Sequence, residues 1–308
     1  MREERQLSYL RQSVAMMLSQ SARTIPHAAG HVEFDVTPLI EYGDRVVQEF
    51  DQNGEKLTAE QITRKALHKN FSAFFIKTIA HVMHHVPELN GFVDWAPART
   101  SGTFYIAEDI NLSFTVHTKF GVVKPIVRNP HLKTLEQVAN EMRILTRKSR
   151  RTDINELYNK VSWLYFKEAI RQMDPTCIVP GIMYIRSLFR PSYPVDPQLK
   201  DVPEEDRLKA EDILGATCTV ANIGMAVRAC QTVTVIIPPE VFMWGIGHTR
   251  LEPRVVNGQI LPRHVVTVTC TFDHRALDGG DVFPLTEVMD RYISNPALIY
   301  EWKPGDPV

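Results

Sequence analysis

The chain has 308 residues, 44% of them apolar, and 35 basic residues against 36 acidic ones give a net charge of −1. That is enough apolar material for a core in one large or two ordinary domains, and the interspersed charges exclude the basic footprint of a nucleic-acid binder. No apolar run is long enough to span a bilayer, and "MREERQLSYLRQ" lacks the basic-then-apolar order of a secretion signal, so a soluble cytoplasmic protein is expected.

Residues 4–23 predict an amphipathic helix, with Leu7, Leu10, Val14 and Leu18 at helical spacing, ended by "TIPH". "HVEFDVTPLI" (31–40) then alternates as a strand, with Val32, Phe34 and Val36 on one face. Residues 57–91 read as mostly helical, closed by Pro87 and Gly91; His84 and His85 fall on that helix and are read as bystanders. "NLSFTVHT" (111–118) alternates Leu112, Phe114 and Val116 against Ser113, Thr115 and His117, and Gly121 turns the chain into "VVKPIV". Thr134 and Gln137 predict a capping box, opening a helix striped by Leu135, Val138, Met142 and Leu145. Asp153 and Glu156 predict the start of another, bearing Leu157, Val161 and Leu164. An apolar and proline-rich stretch (174–197) and a charged, surface-like one (200–213) follow. "ATCTVANIG" (216–224), "TVTVIIPP" (232–239) and "VVTVTCTF" (265–272) read as strands, and 281–293 as a helix with Pro284 in its first turn. The order argues for an α/β (α+β) two-layer sandwich on a mixed β-sheet. The four cysteines, Cys177, Cys218, Cys230 and Cys270, form no CxxC pair, so neither a metal site nor a redox dithiol is expected, and buried free thiols are.

The run "TCTFDHRALDGGDVF" (269–283) places His274 just past a strand, before a turn of Asp278, Gly279 and Gly280. A strand-to-helix junction fixes a side chain rigidly beside a cleft, which suits a general base. Spacing alone favours a bystander, since a histidine four residues before Asp-Gly is a short pattern and the chain has 11 histidines.

The surroundings change that reading. "DHRALDGGD" resembles the DHRxxDG signature of the catalytic domains of 2-oxo acid dehydrogenase dihydrolipoyl acyltransferases, which share the chloramphenicol acetyltransferase-like fold. "QSARTIPH", "VPELNG", "GVVKPIVRNPHLKTLEQVANEM", "TVANIGM", "VIIPPEVFMWGIG" and "YISNPALI" are similar to further family segments, in order over most of the chain. The resemblance implies transfer of an acyl group between coenzyme A and a lipoyl thiol. His274 would be the general base, with Asp278 and Arg275 ordering the turn around Gly279. It implies a homotrimer with active sites between subunits.

The sequence departs from the pattern at several places. Ala221 stands where the family has an oxyanion-supporting serine, and a lost donor of that kind typically costs about a hundred- to a thousandfold in rate. Thr219 shares the face of Ala221 but lies roughly 6–7 Å back along the strand, and Asn222 faces away. No lipoyl or peripheral-subunit-binding domain is expected on this chain, and so no covalent lipoyl group; a lipoyl acceptor would come from a separate lipoyl-domain protein. The whole of 1–308 is read as one catalytic domain with an atypical insertion at about 151–212, carrying Trp163, Tyr165, Phe166, Ile178, Met183, Tyr184 and Phe189. The polar "YEWKPGDPV" puts assembly into a higher cage in doubt. Arg11 matches an arginine of the family's first helix, whereas Met17 replaces a second. The alternatives are a catalytically impaired trimeric scaffold or regulatory relative, and transfer to an acceptor other than lipoate.

Overall fold

A computed structural model describes residues 7, 9–51, 70–96, 101–119, 121–171, 199, 201–224 and 233–308. Its centre is a seven-stranded mixed sheet. The strands are β1 (His27–Asp35), β4 (Asn111–Phe114), β7 (Ile126–Arg128), β8 (Cys218–Asn222), β9 (Phe242–Ile246), β10 (Arg250–Val256) and β11 (Gln259–Asp273). Their order is β1-β11-β9-β8-β4-β7, with β10 paired to the outer half of β11. The pairs β4–β8 and β8–β9 are parallel and the others antiparallel. Two small sheets lie apart: β2 (Gly91–Ala96) with β3 (Ser101–Ile106), and β5 (Val116–Thr118) with β6 (Gly121–Val123). Helices α1 (Tyr9–Thr24), α2 (Thr37–Asp51), α3 (Phe71–His85), α4 (Leu135–Arg150), α5 (Ile154–Arg171), α6 (Gly279–Val282), α7 (Pro284–Ser294) and α8 (Ala297–Tyr300) complete the described elements. The expected mixed sheet with packed helices is what the chain forms.

The sheet has two chemically different faces, because side chains alternate along each strand. One presents Phe34, Leu112, Val220, Phe242, Trp244, Val268, Cys270 and Phe272, which join Phe74, Phe75 and Ile79 of α3, Val138 and Met142 of α4 and Met289 of α7 in one core. The other presents Ser113, Thr219, Ala221, Gly245, Thr267, Thr269, Thr271 and Asp273, set side by side by the registers. The Thr134–Gln137 capping box is present at the start of α4, and Leu135, Val138, Met142 and Leu145 are all buried. Asp153 caps α5 through the Glu156 amide, and Leu157 and Val161 are buried, but Leu164 is exposed, as is Leu7.

Several expectations need correction. The strand from His31 stops at Asp35, whose carboxylate accepts from the Thr37 amide and launches α2, so "TPLI" is helical. "NLSFTVHT" breaks at Thr115 into β4 and β5, and Ser113 is buried rather than outward, because β4 is covered on both faces. Of the expected strand 232–239, the described residues 233–239 form no ladder strand. Their alternation is real, but it faces the sheet from above: the Thr234 hydroxyl bonds that of Thr271 at 2.8 Å and Ile236 is buried, while Val233 and Val235 point outward. The strand lies at 242–246 instead. The β2–β3 and β10–β11 hairpins were not foreseen, although Asn257-Gly258, both at positive φ, is a strong hairpin signal. Cys218 and Cys270 are buried free thiols. Cys177, Cys230, Ile178, Met183, Tyr184, Phe189 and much of the expected helix before Phe71 lie outside the described residues.

One end of α3 is built from buried bases. Lys77 is fully buried; its Nζ donates to the Lys133 carbonyl at 2.6 Å and sits 3.8 Å from the Trp302 ring centre. His81 is buried against the Tyr292 and Trp302 rings with neither ring nitrogen bonded, and His131 stacks on His84. Burial, helped by the charges of Lys77 and His131, lowers His81 from 6.5 to about 2. Burial, helped by His84, lowers His131 to about 4, and burial lowers Lys77 to about 7. A base held neutral in the fold stabilises fully above its unfolded pKa, and that stability is lost as pH falls toward the folded value. The Lys77 contribution is therefore spent by pH 7, and the acid window belongs to the histidines, starting at 6.5. Urea unfolding at fixed protein concentration should show stability falling below that pH. His81→Phe should flatten the slope by about 1.4 kcal/mol per pH unit; an unchanged slope would mean that His81 does not couple folding to protons.

Candidate active site

Strand β11 ends at Asp273, a fully buried carboxylate. The Asp273 amide still donates to the carbonyl of Val241, the residue just before β9, at 2.8 Å. Arg275 then closes on the same carboxylate: its backbone amide and Nε donate to Oδ1, both at 3.0 Å, and its Nη2 to Oδ2 at 2.5 Å. The short loop so tied carries His274, whose amide donates to Pro26 O at 3.1 Å. The His274 ring is exposed beside Phe272, with ring centres 5.5 Å apart. Backbone and flanking residues are thus fixed while the imidazole faces outward.

Asp278 caps α6. Its carboxylate accepts from the Gly280 amide at 2.7 Å, and its own amide donates to Asp281 at 2.8 Å. It orders the turn by capping; Arg275 pairs with Asp273 and not with it. At Gly279 a Cβ would stand 2.8 Å from the Phe283 ring, so glycine here lets that ring lie against the turn.

The residues of β8 lie elsewhere. Ala221 pairs in register with Gly245 and is buried with Ile25, Ile236 and Met243. Asn222 turns to the opposite face, where its Nδ2 donates to Ser72 at 2.9 Å. Thr219 shares the face of Ala221, but its hydroxyl proton is committed: Oγ1 donates to Glu240 at 2.7 Å. It is also 2.9 Å from Ser113 Oγ and accepts from Lys124 Nζ at 3.2 Å. Lys124 Nζ stands 3.8 Å from Glu240 Oε1, and the other carboxylate oxygen, Oε2, is buried without a partner. Burial raises the Glu240 pKa, against the opposing pull of Lys124 and Thr219.

His274 and Ala221 of one chain are far apart. Asp273 is level with Val241 and Ala221 with Gly245. The separation is about 13–16 Å along the strands and about 10 Å across two strand spacings. The structure therefore brings Arg275, Gly279 and Asp278 together around His274, and Thr219 and Ala221 together at a second place. Asp273, Ser113, Lys124 and Glu240 received no role from the sequence. Asp273 sits inside the quoted motif, while the other three meet only through the pairing of distant strands. Among the described residues, no group of three or more His, Cys, Asp or Glu is placed to hold a metal ion, and no helix is long and apolar enough to cross a membrane.

The model of the family "2-oxoacid dehydrogenases acyltransferase (catalytic domain)" matches residues 1–157 and 198–301 and passes over 158–197, within the expected insertion. The chain is 24% identical over 290 residues to the dihydrolipoyllysine-residue acetyltransferase component of the pyruvate dehydrogenase complex of Staphylococcus aureus, covering 94% of this chain and 51% of that protein. The corresponding Staphylococcus epidermidis protein is 23% identical with the same coverage. The chain thus spans about half the length of these relatives. Among solved structures, a probable dihydrolipoamide acetyltransferase from Listeria monocytogenes is 20% identical, with a TM-score of 0.64 over 100% of this chain and 98% of that one. The dihydrolipoamide acetyltransferase of Azotobacter vinelandii is also 20% identical, with a TM-score of 0.64 over 97% and 94% of the two chains. The chain belongs to the 2-oxoacid dehydrogenases acyltransferase (catalytic domain) family.

Proposed function

We propose that the chain is an acyltransferase that moves an acyl group between coenzyme A and a thiol acceptor, lipoyl or related, with His274 as general base. The observation that carries this reading is the exposed imidazole on a loop pinned by the buried Asp273 carboxylate and the partly buried Arg275. In the Azotobacter vinelandii acetyltransferase a serine, a histidine and an asparagine take part in the catalytic mechanism, and its histidine and asparagine stand at the separation of His274 and Asp278. His274 takes the acceptor thiol proton. The thiolate sulfur bonds to the thioester carbonyl carbon and the carbonyl electron pair moves onto oxygen. As that pair returns, the carbon–sulfur bond to coenzyme A breaks, and the departing thiolate receives the proton from His274.

One copy's imidazole would work beside another copy's β8, in the homotrimer that the family resemblance implies; the distance between His274 and Ala221 within one chain supports this reading. The β10–β11 arm supports association. On one side Arg250 and Arg254 pair with Glu33 and Glu252, and Arg263 with Asp35. On the other side Leu251, Val255 and Ile260 are 64%, 73% and 75% exposed, apolar surface that a second copy would cover. The lipoyl group would be presented by a lipoyl domain outside these 308 residues, in the cytoplasm. One observation favours a second reading, an impaired scaffold or regulatory relative: Ala221, at the family serine position, is packed among apolar side chains.

Mixing purified protein with acetyl-coenzyme A and dihydrolipoamide separates the two. Transfer should be measurable, and His274→Ala should lower it by about a hundred- to ten-thousandfold; saturable turnover that ignores this change would remove His274 from the reaction, and no turnover at all would leave the scaffold. Arg275→Met strands the Asp273 carboxylate in the interior. It should cost about 3–5 kcal/mol of stability and lower kcat in the protein that stays folded, with KM for acetyl-coenzyme A little changed. Unaltered kcat in the folded fraction would make Arg275 structural only.

A further inference from the structure

On the sheet face that carries Ala221, a cation stands bonded to Thr219. The antiparallel register of β4 with β7 pairs Ser113 with Ile126, and that of β5 with β6 pairs Val116 with Val123. Both registers place Lys124 opposite Thr115. The parallel register of β4 with β8 pairs Phe114 with Val220, which puts Thr115 level with Ala221. Lys124 therefore starts level with Ala221, two strand spacings away, about 10 Å. Alternation from Ile126 puts it on the Ala221 face, and its ammonium reaches across β4 to Thr219 Oγ1, 3.2 Å away.

We propose that Lys124 is a catalytic residue of the transfer reaction, its ammonium stabilising the thioester oxyanion that a serine at position 221 would otherwise support. This rests on the acyl-transfer reading above. The cation is held but not locked: its side chain is 27% exposed on a four-carbon stem, while the carboxylate beside it is 5% exposed. A swing of a few ångströms from Thr219 toward Ala221 follows the strand axis, the direction in which the two residues are offset by about 6–7 Å.

Glu240 decides whether the charge is available. Burial discourages the ionised form of this carboxyl. The more of its proton Glu240 keeps, the less of the Lys124 charge it cancels, and the more positive the cluster is where negative charge would develop in the transition state. Thr219 cannot take this part itself, since its proton goes to Glu240. Ser113 is placed one strand further back, its hydroxyl spent on Thr219.

The test uses acetyl-coenzyme A and dihydrolipoamide with full-length wild type, Lys124→Met, Lys124→Arg, Ala221→Ser and the Ala221→Ser/Lys124→Met pair, each checked for folding by thermal melting. Lys124→Met should lower kcat about a hundredfold with KM little changed, and Lys124→Arg should retain more activity than Lys124→Met. Ala221→Ser should restore most of the loss in the Lys124→Met background and give a smaller gain in wild type, because the hydroxyl then does what the ammonium did. A purely structural Lys124–Thr219–Glu240 cluster would show lost melting temperature with unchanged kcat per folded molecule, or a defect that Ala221→Ser does not repair. Either result overturns the proposal and leaves the His274 chemistry standing. Loss of all His274-dependent transfer in wild type would instead remove the acyl-transfer reading, and this inference with it.

Discussion

Strand β11 leaves the sheet with a fully buried carboxylate at its last position, and the geometry of the candidate site follows from how that charge is met. An unpaired carboxylate in the interior costs several kcal/mol, so Asp273 forces the chain to supply donors at once. Arg275 supplies three, from its amide, Nε and Nη2. Because the partner lies two residues away, the residue between them has nowhere to go but out. His274 is thereby exposed by the requirement to bury its neighbours, and its amide is fixed to Pro26 as well. Asp278 then caps α6 and Gly279 lets Phe283 lie on the turn, which ends the loop as firmly as Asp273 begins it.

How much of this was legible in the sequence depends on how local each cause is. The Thr134–Gln137 capping box, the stripe of α4 and the turn after His274 are set by residues within a few positions of each other, and each stands where the pattern places it. The launch of α2 was also local, but the alternation of Val32, Phe34 and Val36 ran across it and masked the Asp35–Thr37 contact. Alternation misled again in β4 and in 233–237. It reports a period of two, not which surface lies on either side. Ser113 is polar yet buried because β8 and β7 flank it, and Thr234 and Ile236 alternate because they lie over a sheet rather than in one.

The polar face of the sheet could not be read at all from single segments. Ser113, Lys124, Thr219 and Glu240 come from four separate stretches, and only the β7-β4-β8-β9 order sets them together. The registers also set His274 and Ala221 at different places on one chain, which is why the proposed reaction calls for two copies. The ionic underside and apolar outer side of the β10–β11 arm fit the same division: one face fastens the arm to its own β1 and the other is left uncovered.

Replacing a hydroxyl by an ammonium changes what the surroundings must provide. A serine donor is neutral and needs only orientation, so its neighbours can be apolar, as those of Ala221 are. An ammonium brings a full charge, which acts over a longer distance and tolerates an origin two strands away. It also attracts any carboxylate nearby, and an ionised partner at 3.8 Å would cancel most of its field. The protein places that carboxylate where burial works against ionisation and leaves one of its oxygens without a donor. An exposed glutamate at position 240 would tie the lysine down in an ordinary ion pair. The burial of Glu240 thus works against the pairing that would neutralise the cation.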